Sequence, residues 1–223
     1  MTLAPDAVRS MFDRIAPVYD LMNRAMTAGL DLHWRRLAAA AAVRPGDRVL
    51  DAACGTGELA LADLRAGAAS VTGLDFSARM LERARKKAAT VEWIEGDVLA
   101  LPFADASFDA ATIGFGIRNV ADLELGLREL RRVLREGGRV AILELTRPRG
   151  PLAPLLSFWF ERVVPRLGRL AGGGSAYSYL PASVARFPRA EELAELLREA
   201  GFAGVSTRLL AGSIVSLHTG TAA

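Results

Sequence analysis

The chain has 223 residues, 51% of them apolar, enough to build one domain around a substantial core. A net charge of only +3 argues against an extended nucleic-acid footprint, and a single cysteine, Cys54, excludes an internal disulfide and points to a reducing compartment. There is no charged-then-apolar leader and no run of about 18 uncharged apolar residues, so a cytoplasmic protein is expected.

Residues 5–43 read as helices. Met11, Phe12, Ile15, Val18, Leu21, Met22 and Met26 form an apolar pattern punctuated by Asp13, Tyr19, Asp20 and Asn23, and Gly29 breaks it before an Ala-rich helix, Asp31 to Val43. The turn Pro45-Gly46-Asp47 delivers a first strand, Arg48 to Ala52. Asp51 stands at the tip of that strand, which runs into Gly55-Thr56-Gly57, after which an Ala/Leu-rich helix begins at once. A strand, a tight glycine turn and a helix N-terminus together form the first βα turn of a nucleotide-binding sheet. The pattern fits a dinucleotide loop as well as a nucleoside-type cofactor loop. Asp51 tilts the choice, because a carboxylate sits poorly beside a pyrophosphate and well beside the sulfonium and ammonium of S-adenosylmethionine.

Strands and helices then alternate. Strands are expected at Ser70–Leu74, Val91–Glu95, Phe108–Gly114 and Arg139–Leu145, and helices at Ala78–Ala88, capped by Ser77, and at Leu123–Arg135, ended by Gly137-Gly138. Such alternation forces parallel pairing with helices on both faces. After residue 188 come a helix, Ala190–Ala200, and two β-prone runs, Gly204–Leu210 and Ser213–Leu217, joined by the Ala211-Gly212 turn. The expected architecture is therefore a doubly wound, Rossmann-like α/β fold, with a seven-stranded sheet finishing in an antiparallel pair, the methyltransferase variant. Residues 1–43 would form a helical cap on this single domain. Residues 148–188 interrupt the alternation as an insertion rich in aromatics and arginine. Leu155, Trp159, Val163, Leu167 and Leu170 follow helical spacing while Arg162, Arg166 and Arg169 share another face. It reads either as core packing with a solvated basic face or as a lid over an apolar substrate that touches an anionic membrane surface.

Groups at the carboxyl ends of the strands are the cofactor candidates. These are Asp51, Gly55, Thr56, Gly57, Asp75 and the Asp97–Val98 pair. Asp75 is placed to accept both ribose hydroxyls, Asp97 to accept from the adenine amino group, and the Val98 N–H to donate to a ring nitrogen, with Met80 and Leu101 as walls for the base. With one cysteine and two separated histidines, His33 and His218, no metal site is evident.

Met11-Phe12-Asp13-Arg14-Ile15-Ala16-Pro17-Val18-Tyr19-Asp20-Leu21-Met22-Asn23 closely resembles the N-terminal signature of the quinone C-methyltransferases, and Gly114-Phe115-Gly116-Ile117-Arg118-Asn119-Val120 resembles their second signature. Ser178-Tyr179-Leu180, Arg186-Phe187-Pro188 and Ile214-Val215-Ser216-Leu217-His218 are similar to their C-terminal blocks. The chain departs from the family pattern at Cys54, where glycine is usual, and at Gly114, where a cofactor-touching serine is common. The resemblance implies transfer of a methyl group from S-adenosylmethionine, leaving S-adenosylhomocysteine, to a ring carbon of a polyprenylated quinol. A naphthoquinol of menaquinone biosynthesis is expected, with a benzoquinol of ubiquinone biosynthesis or another small molecule as the alternatives.

The chemistry frames the remaining candidates. A phenol has a pKa of about 10, so roughly one molecule in a thousand is ionised at neutral pH. Arg118, just after the fourth strand, is the candidate to stabilise the developing oxyanion, and Asn119 to orient the second ring oxygen. A structural ion pair is the alternative for Arg118. Tyr19, Tyr177 and Tyr179 are candidates to stack on or hydrogen-bond the ring. Expected partners are thus the quinol and, peripherally, the inner face of the cell membrane, with no nucleic acid and with a homodimer left open.

Overall fold

A computed structural model describes residues 5–151, 153–164, 166 and 176–223, without the side chains at 5, 160, 161 and 176–178. Helices α1 (Pro5–Ile15), α2 (Tyr19–Thr27) and α3 (Leu30–Ala42) open the chain, and Gly29, at φ +79°, makes the turn into α3. The alternating segment follows as β1 (Arg48–Ala52), α4 (Glu58–Arg65), β2 (Ser70–Asp75), α5 (Ala78–Lys87), β3 (Glu92–Glu95), β4 (Phe108–Gly114), α6 (Leu123–Val133) and β5 (Leu134–Leu145). Then come α7 (Ala153–Phe158), α8 (Ala176–Arg186), α9 (Ala190–Glu199), β6 (Phe202–Leu210) and β7 (Val215–Ala222).

The seven strands form one sheet in the order β3-β2-β1-β4-β5-β7-β6, with β7 antiparallel to both its neighbours and the other described pairings parallel. The order reverses between β1 and β4, which opens a crevice at their carboxyl ends. Side chains of the central strands alternate between two cores. Leu50, Ala111, Val140 and Ile142 pack against Leu127 and Leu130 of α6 and Leu193 and Leu197 of α9. Val49, Ala110, Ala141 and Leu143 pack against Trp34, Ala38 and Ala39 of α3 and Leu59 and Ala60 of α4. Burial on both faces is why these strands read as continuous apolar runs rather than alternating ones. A third cluster joins Val8, Met11, Ile15 and Met22 of α1 and α2 to Met80, Val164 and Leu180, seating the N-terminal helices beside the strand tips.

Local chemistry sets several boundaries. The Ser77 hydroxyl accepts from the Met80 N–H at 3.2 Å to start α5, and the Asp122 carboxylate accepts from the Leu125 N–H at 2.9 Å to start α6. Three expectations need correction. Helix α6 stops at Val133 because Leu134 turns extended to pair with Phe108, so Gly137, at φ +69°, and Gly138 lie in a bulge of β5 instead of ending the helix. The last two strands are longer than expected, since small residues such as Thr219, Gly220 and Thr221 hide their pairing behind weak hydropathy. In the insertion, helix gives way to a π-helical stretch at Trp159–Val163, and it is Val164 that is fully buried. Leu155 is instead 67% exposed, while Leu167, Leu170 and Arg169 lie outside the described residues.

Candidate active site

The carboxyl ends of β1, β2 and β4 open into a cleft that Phe12 and Tyr19 of the N-terminal helices cover. Strand β2 brings Asp75 to this cleft. One carboxylate oxygen accepts from the Gly55 N–H at 2.8 Å and the other from the Ser77 N–H at 2.9 Å. The group thus ties the glycine loop to the strand tip, and each oxygen keeps a lone pair for a further donor. Burial pushes its pKa up to about 6, against the pull of those two backbone donors.

The two glycines of the loop serve different neighbours. Gly55, at φ +54°, faces open space in the cleft, whereas a Cβ on Gly57 would stand 2.4 Å from the Trp93 ring. Between them, the Thr56 hydroxyl donates to Asp20 at 2.5 Å, and the other oxygen of Asp20 pairs with Lys87 at 2.6 Å. Lys87 also reaches Glu58 at 2.8 Å. Asp13 accepts from the Ser77 hydroxyl at 2.6 Å. Both aspartates belong to the N-terminal helices, so the cover is fastened to the strand tips by the side chains that surround the cleft.

Asp51 stands behind the cleft, not in it. It is fully buried, one oxygen accepting from the Ala60 N–H at 2.8 Å and the other without a partner among the described residues. Burial, and then neighbouring Asp63, push its carboxyl well above the usual range, while Arg35 pulls the other way. From here it braces the first turn of α4.

A second recess adjoins the cleft on the far side of Asp75 and Asn119. Asp97 and Val98 line it, and the Asp97 carboxylate accepts from the Leu99 N–H at 2.9 Å. Leu101, expected as a wall, is in the core with its N–H bonded to Glu129, and Leu99 takes its place. Met80 lines the cleft itself. Asn119 borders both spaces, with its buried side-chain oxygen unpartnered among the described residues. Backbone strain gathers at the same point. Ala53 after β1 and Phe115 after β4 hold φ of +50° and +60°, and a Cβ on Gly116 would fall 2.7 Å from that of Ala53. Non-glycine residues are costly in this region and concentrate at functional sites.

A third recess, apolar, lies on the other side. Met11, Ile15, Met26, Trp34 and Leu180 line it, with Asn23, Thr27, Tyr19 and Tyr179 as neutral polar groups and Asp31, Arg35 and Arg118 as charged ones. Phe12, Tyr19, Arg35 and Phe115 border both this chamber and the cleft. Tyr19 meets Phe12 edge-on at 6.2 Å, and Arg186 lies over Tyr179 at 5.6 Å. The Tyr177 side chain lies outside the described residues. Met26, Thr27 and Trp34 continue the chamber into an outer groove with Leu30, Leu155 and Trp159 on its walls.

Arg118 borders the chamber, but its Nη1 donates to Glu144 at 2.7 Å and also to the Phe115 carbonyl. Glu144 is fully buried and accepts from the Arg118 backbone N–H as well, at 3.2 Å. His218 is buried in β7, 2.7 Å from the Ala190 carbonyl, away from these recesses, and burial lowers its pKa. Sequence reasoning missed Arg35, Asn23, Trp34 and Phe115. Arg35 carried a usable signal: a cation four residues after Asp31, on the face of an Ala-rich helix that should be apolar.

The model of the ubiE/COQ5 methyltransferase family matches residues 1–222. A demethylmenaquinone methyltransferase of Thermus thermophilus is 47% identical over 218 residues, spanning 94% of this chain and 99% of that protein. A 2-phytyl-1,4-naphtoquinone methyltransferase of Synechococcus elongatus is 42% identical over 210 residues, covering 90% of each. Among solved structures, a Thermotoga maritima SAM-dependent methyltransferase superposes with a TM-score of 0.67 at 26% identity, over 96% of this chain and 99% of that one. The [4+2]-cyclase SpnF reaches 0.74 at 19% identity, over 99% of this chain and 97% of that one, a likeness of fold alone.

Proposed function

The chain belongs to the ubiE/COQ5 methyltransferase family, and on that premise we propose that it methylates a ring carbon of a polyprenylated naphthoquinol, demethylmenaquinol to menaquinol, using S-adenosylmethionine. The observation that carries this reading is the series of three recesses at the strand tips: a polar one at Asp97–Val98, the glycine-loop cleft at Asp75, and an apolar chamber sharing a wall with the cleft. The series fits a nucleoside cofactor meeting a hydrophobic acceptor. The unpartnered Asn119 oxygen and the open face of Gly55 fit bound groups there.

When bound, the cofactor supplies an electrophilic methyl group on sulfur. Asp75 accepts the ribose hydroxyls on its free lone pairs, while Asp97 and the Val98 N–H read the adenine edge. Gly55 and Thr56 let the chain approach closely, and Asp51 supports them by holding α4. The N-terminal helices, fastened through Asp13 and Asp20, exclude water from the junction. In the chamber Tyr19 and Tyr179 pack against the quinol ring, and Asn119, on the wall of the adjoining cleft, orients a ring oxygen that reaches the junction. Arg118, paired with the buried Glu144, holds the loop that presents Asn119. The prenyl tail leaves past Met26 and Trp34 into the outer groove, whose walls Leu155 and Trp159 are 67% and 37% exposed, with Phe158, Arg162 and Arg166 exposed on the same segment. That rim suits a peripheral contact with an anionic bilayer.

Incubation with labelled S-adenosylmethionine and a panel of demethylated naphthoquinols and benzoquinols, followed by mass spectrometry of the ring, tests the assignment. Methyl transfer to the naphthoquinol carbon is expected. Exclusive labelling of benzoquinols would move the protein to the ubiquinone branch, and labelling of neither would refute the quinol reading.

A further inference from the structure

Arg35 is a buried cation that, among the described residues, is held only by one long ion pair and a ring contact. It lies on α3 and is 5% exposed, at the wall common to the cleft and the apolar chamber. A guanidinium carries five N–H donors. Among the described residues its Nε has no hydrogen-bond partner, and its nearest carboxylate oxygen, on Asp31, is 3.9 Å away. That Asp31 group already takes a hydrogen bond from the Thr27 hydroxyl at 3.0 Å. Arg35 also lies over the face of the Phe115 ring, 5.1 Å from the guanidinium carbon, and acts on the buried Asp51 carboxyl through space without an ion-pair contact among the described residues. A buried charge held this loosely is expensive unless something else completes its shell.

Arg118 differs in its terminal nitrogen: its Nε is likewise unpartnered among the described residues, but its Nη1 is bonded to a fully buried carboxylate and a carbonyl, so the protein itself neutralises it. Gly114 also belongs to the arrangement. A Cβ there would stand 3.2 Å from Nη1 of Arg35, so the absence of a side chain leaves the guanidinium its room.

We propose that Arg35 is the oxyanion receptor at the junction of cofactor and acceptor, its free N–H groups completed by a carboxylate or phenolate oxygen of a ligand. The inference rests on the proposed function. Two sources could supply that chemistry: the carboxylate at the methionyl end of the cofactor, which would point to this end of the cleft if Asp97 and Asp75 held the adenosine, and the ionised ring oxygen of the quinol. Either places a fixed bidentate donor where negative charge must be held close to the transferring methyl group.

Calorimetry on the whole protein, with the Arg35→Met and Arg35→Lys variants, separates the sources. The probes are S-adenosylhomocysteine and its decarboxylated analogue. If Arg35 holds the cofactor carboxylate, Arg35→Met weakens S-adenosylhomocysteine binding by about ten- to a hundredfold, leaves the decarboxylated analogue unchanged, and Arg35→Lys recovers part of the loss. If it holds the ring oxygen, both affinities stay as in the wild type, and the rising limb of the pH–rate profile moves to higher pH as the phenolate loses its partner. Unchanged affinities together with an unchanged pH profile would overturn the proposal and make Arg35 a packing residue. Should Arg35→Met fail to fold, Arg35→Lys and the discrimination of wild type between the two probes still decide. Equal wild-type affinity for both, with no profile shift in Arg35→Lys, is again the refuting result. Failure of the functional reading itself would show differently, as wild-type protein that binds no S-adenosylhomocysteine at all.

Discussion

Asp75 combines a structural and a binding task in one carboxylate, and its pKa of about 6 makes that testable. Accepting two hydroxyls favours the ionised form, so cofactor affinity should weaken as pH falls from 7 to 5 and the group takes up a proton. Calorimetry across that range checks it, and Asp75→Asn should flatten the dependence while lowering affinity at pH 7. Asp75→Ala should weaken binding by at least about tenfold, the worth of a charged hydrogen bond, with far-UV circular dichroism unchanged. Arg118 is expected to behave in another way. Removing it leaves Glu144 buried without its partner, so Arg118→Ala should lose about 3–5 kcal/mol in denaturant unfolding. Turnover of the folded fraction that stays near normal would take Arg118 out of the chemistry altogether.

At the scale of elements, α1 and α2 are joined to the strand tips by a hydrophobic cluster and by polar links, of which the one from Asp20 to Thr56 reaches the cleft wall. Asp20 holds Thr56 and Lys87, yet Lys87 keeps Glu58 if Asp20 is lost. Asp20→Ala should therefore loosen the cover without unfolding the sheet, seen as faster hydrogen exchange in residues 5–27 with little change in β1, β4 and β5. The outer groove offers a second test. Trp159→Glu should raise KM for a long-tailed quinol by several-fold and leave KM for a tail-less analogue unaltered. Equal effects on both substrates would remove the tail from this groove.

For the molecule as a whole, buried ionisable groups give stability opposing pH dependences. Burial raises Asp63 to about 7, so the folded state keeps a proton that the unfolded chain releases above its ordinary value. That contribution is complete at low pH and is lost as pH rises through 7. His218 is lowered by burial, so its contribution runs the other way and fades as pH falls below its ordinary value. Asp63→Asn keeps an acceptor for the Thr112 hydroxyl, now 2.7 Å away, without the charge. Its melting temperature should match the wild type at pH 4 and exceed it at pH 8, by about 2–4 °C for each 1 kcal/mol recovered. A wild-type advantage at pH 8 would show that Asp63 is held ionised.

The amino-acid sequence by itself determined the alternation of strands and helices, the glycine loop and the family signature. Each is written in neighbouring residues, through periodicity, turn chemistry and chain order, and strands Arg48–Ala52 and Phe108–Gly114 were readable to the residue. Only the tertiary structure decided which charged side chains face ligand space. Asp51 and Asp75 both end strands, yet Asp51 folds back on the Ala60 N–H while Asp75 lines the cleft. Arg118 meets Glu144, 26 residues on, whereas Arg35, hidden in an alanine helix, reaches the wall shared by cleft and chamber. The free energy of a buried charge depends on partners brought from distant parts of the chain, and no local pattern encodes them.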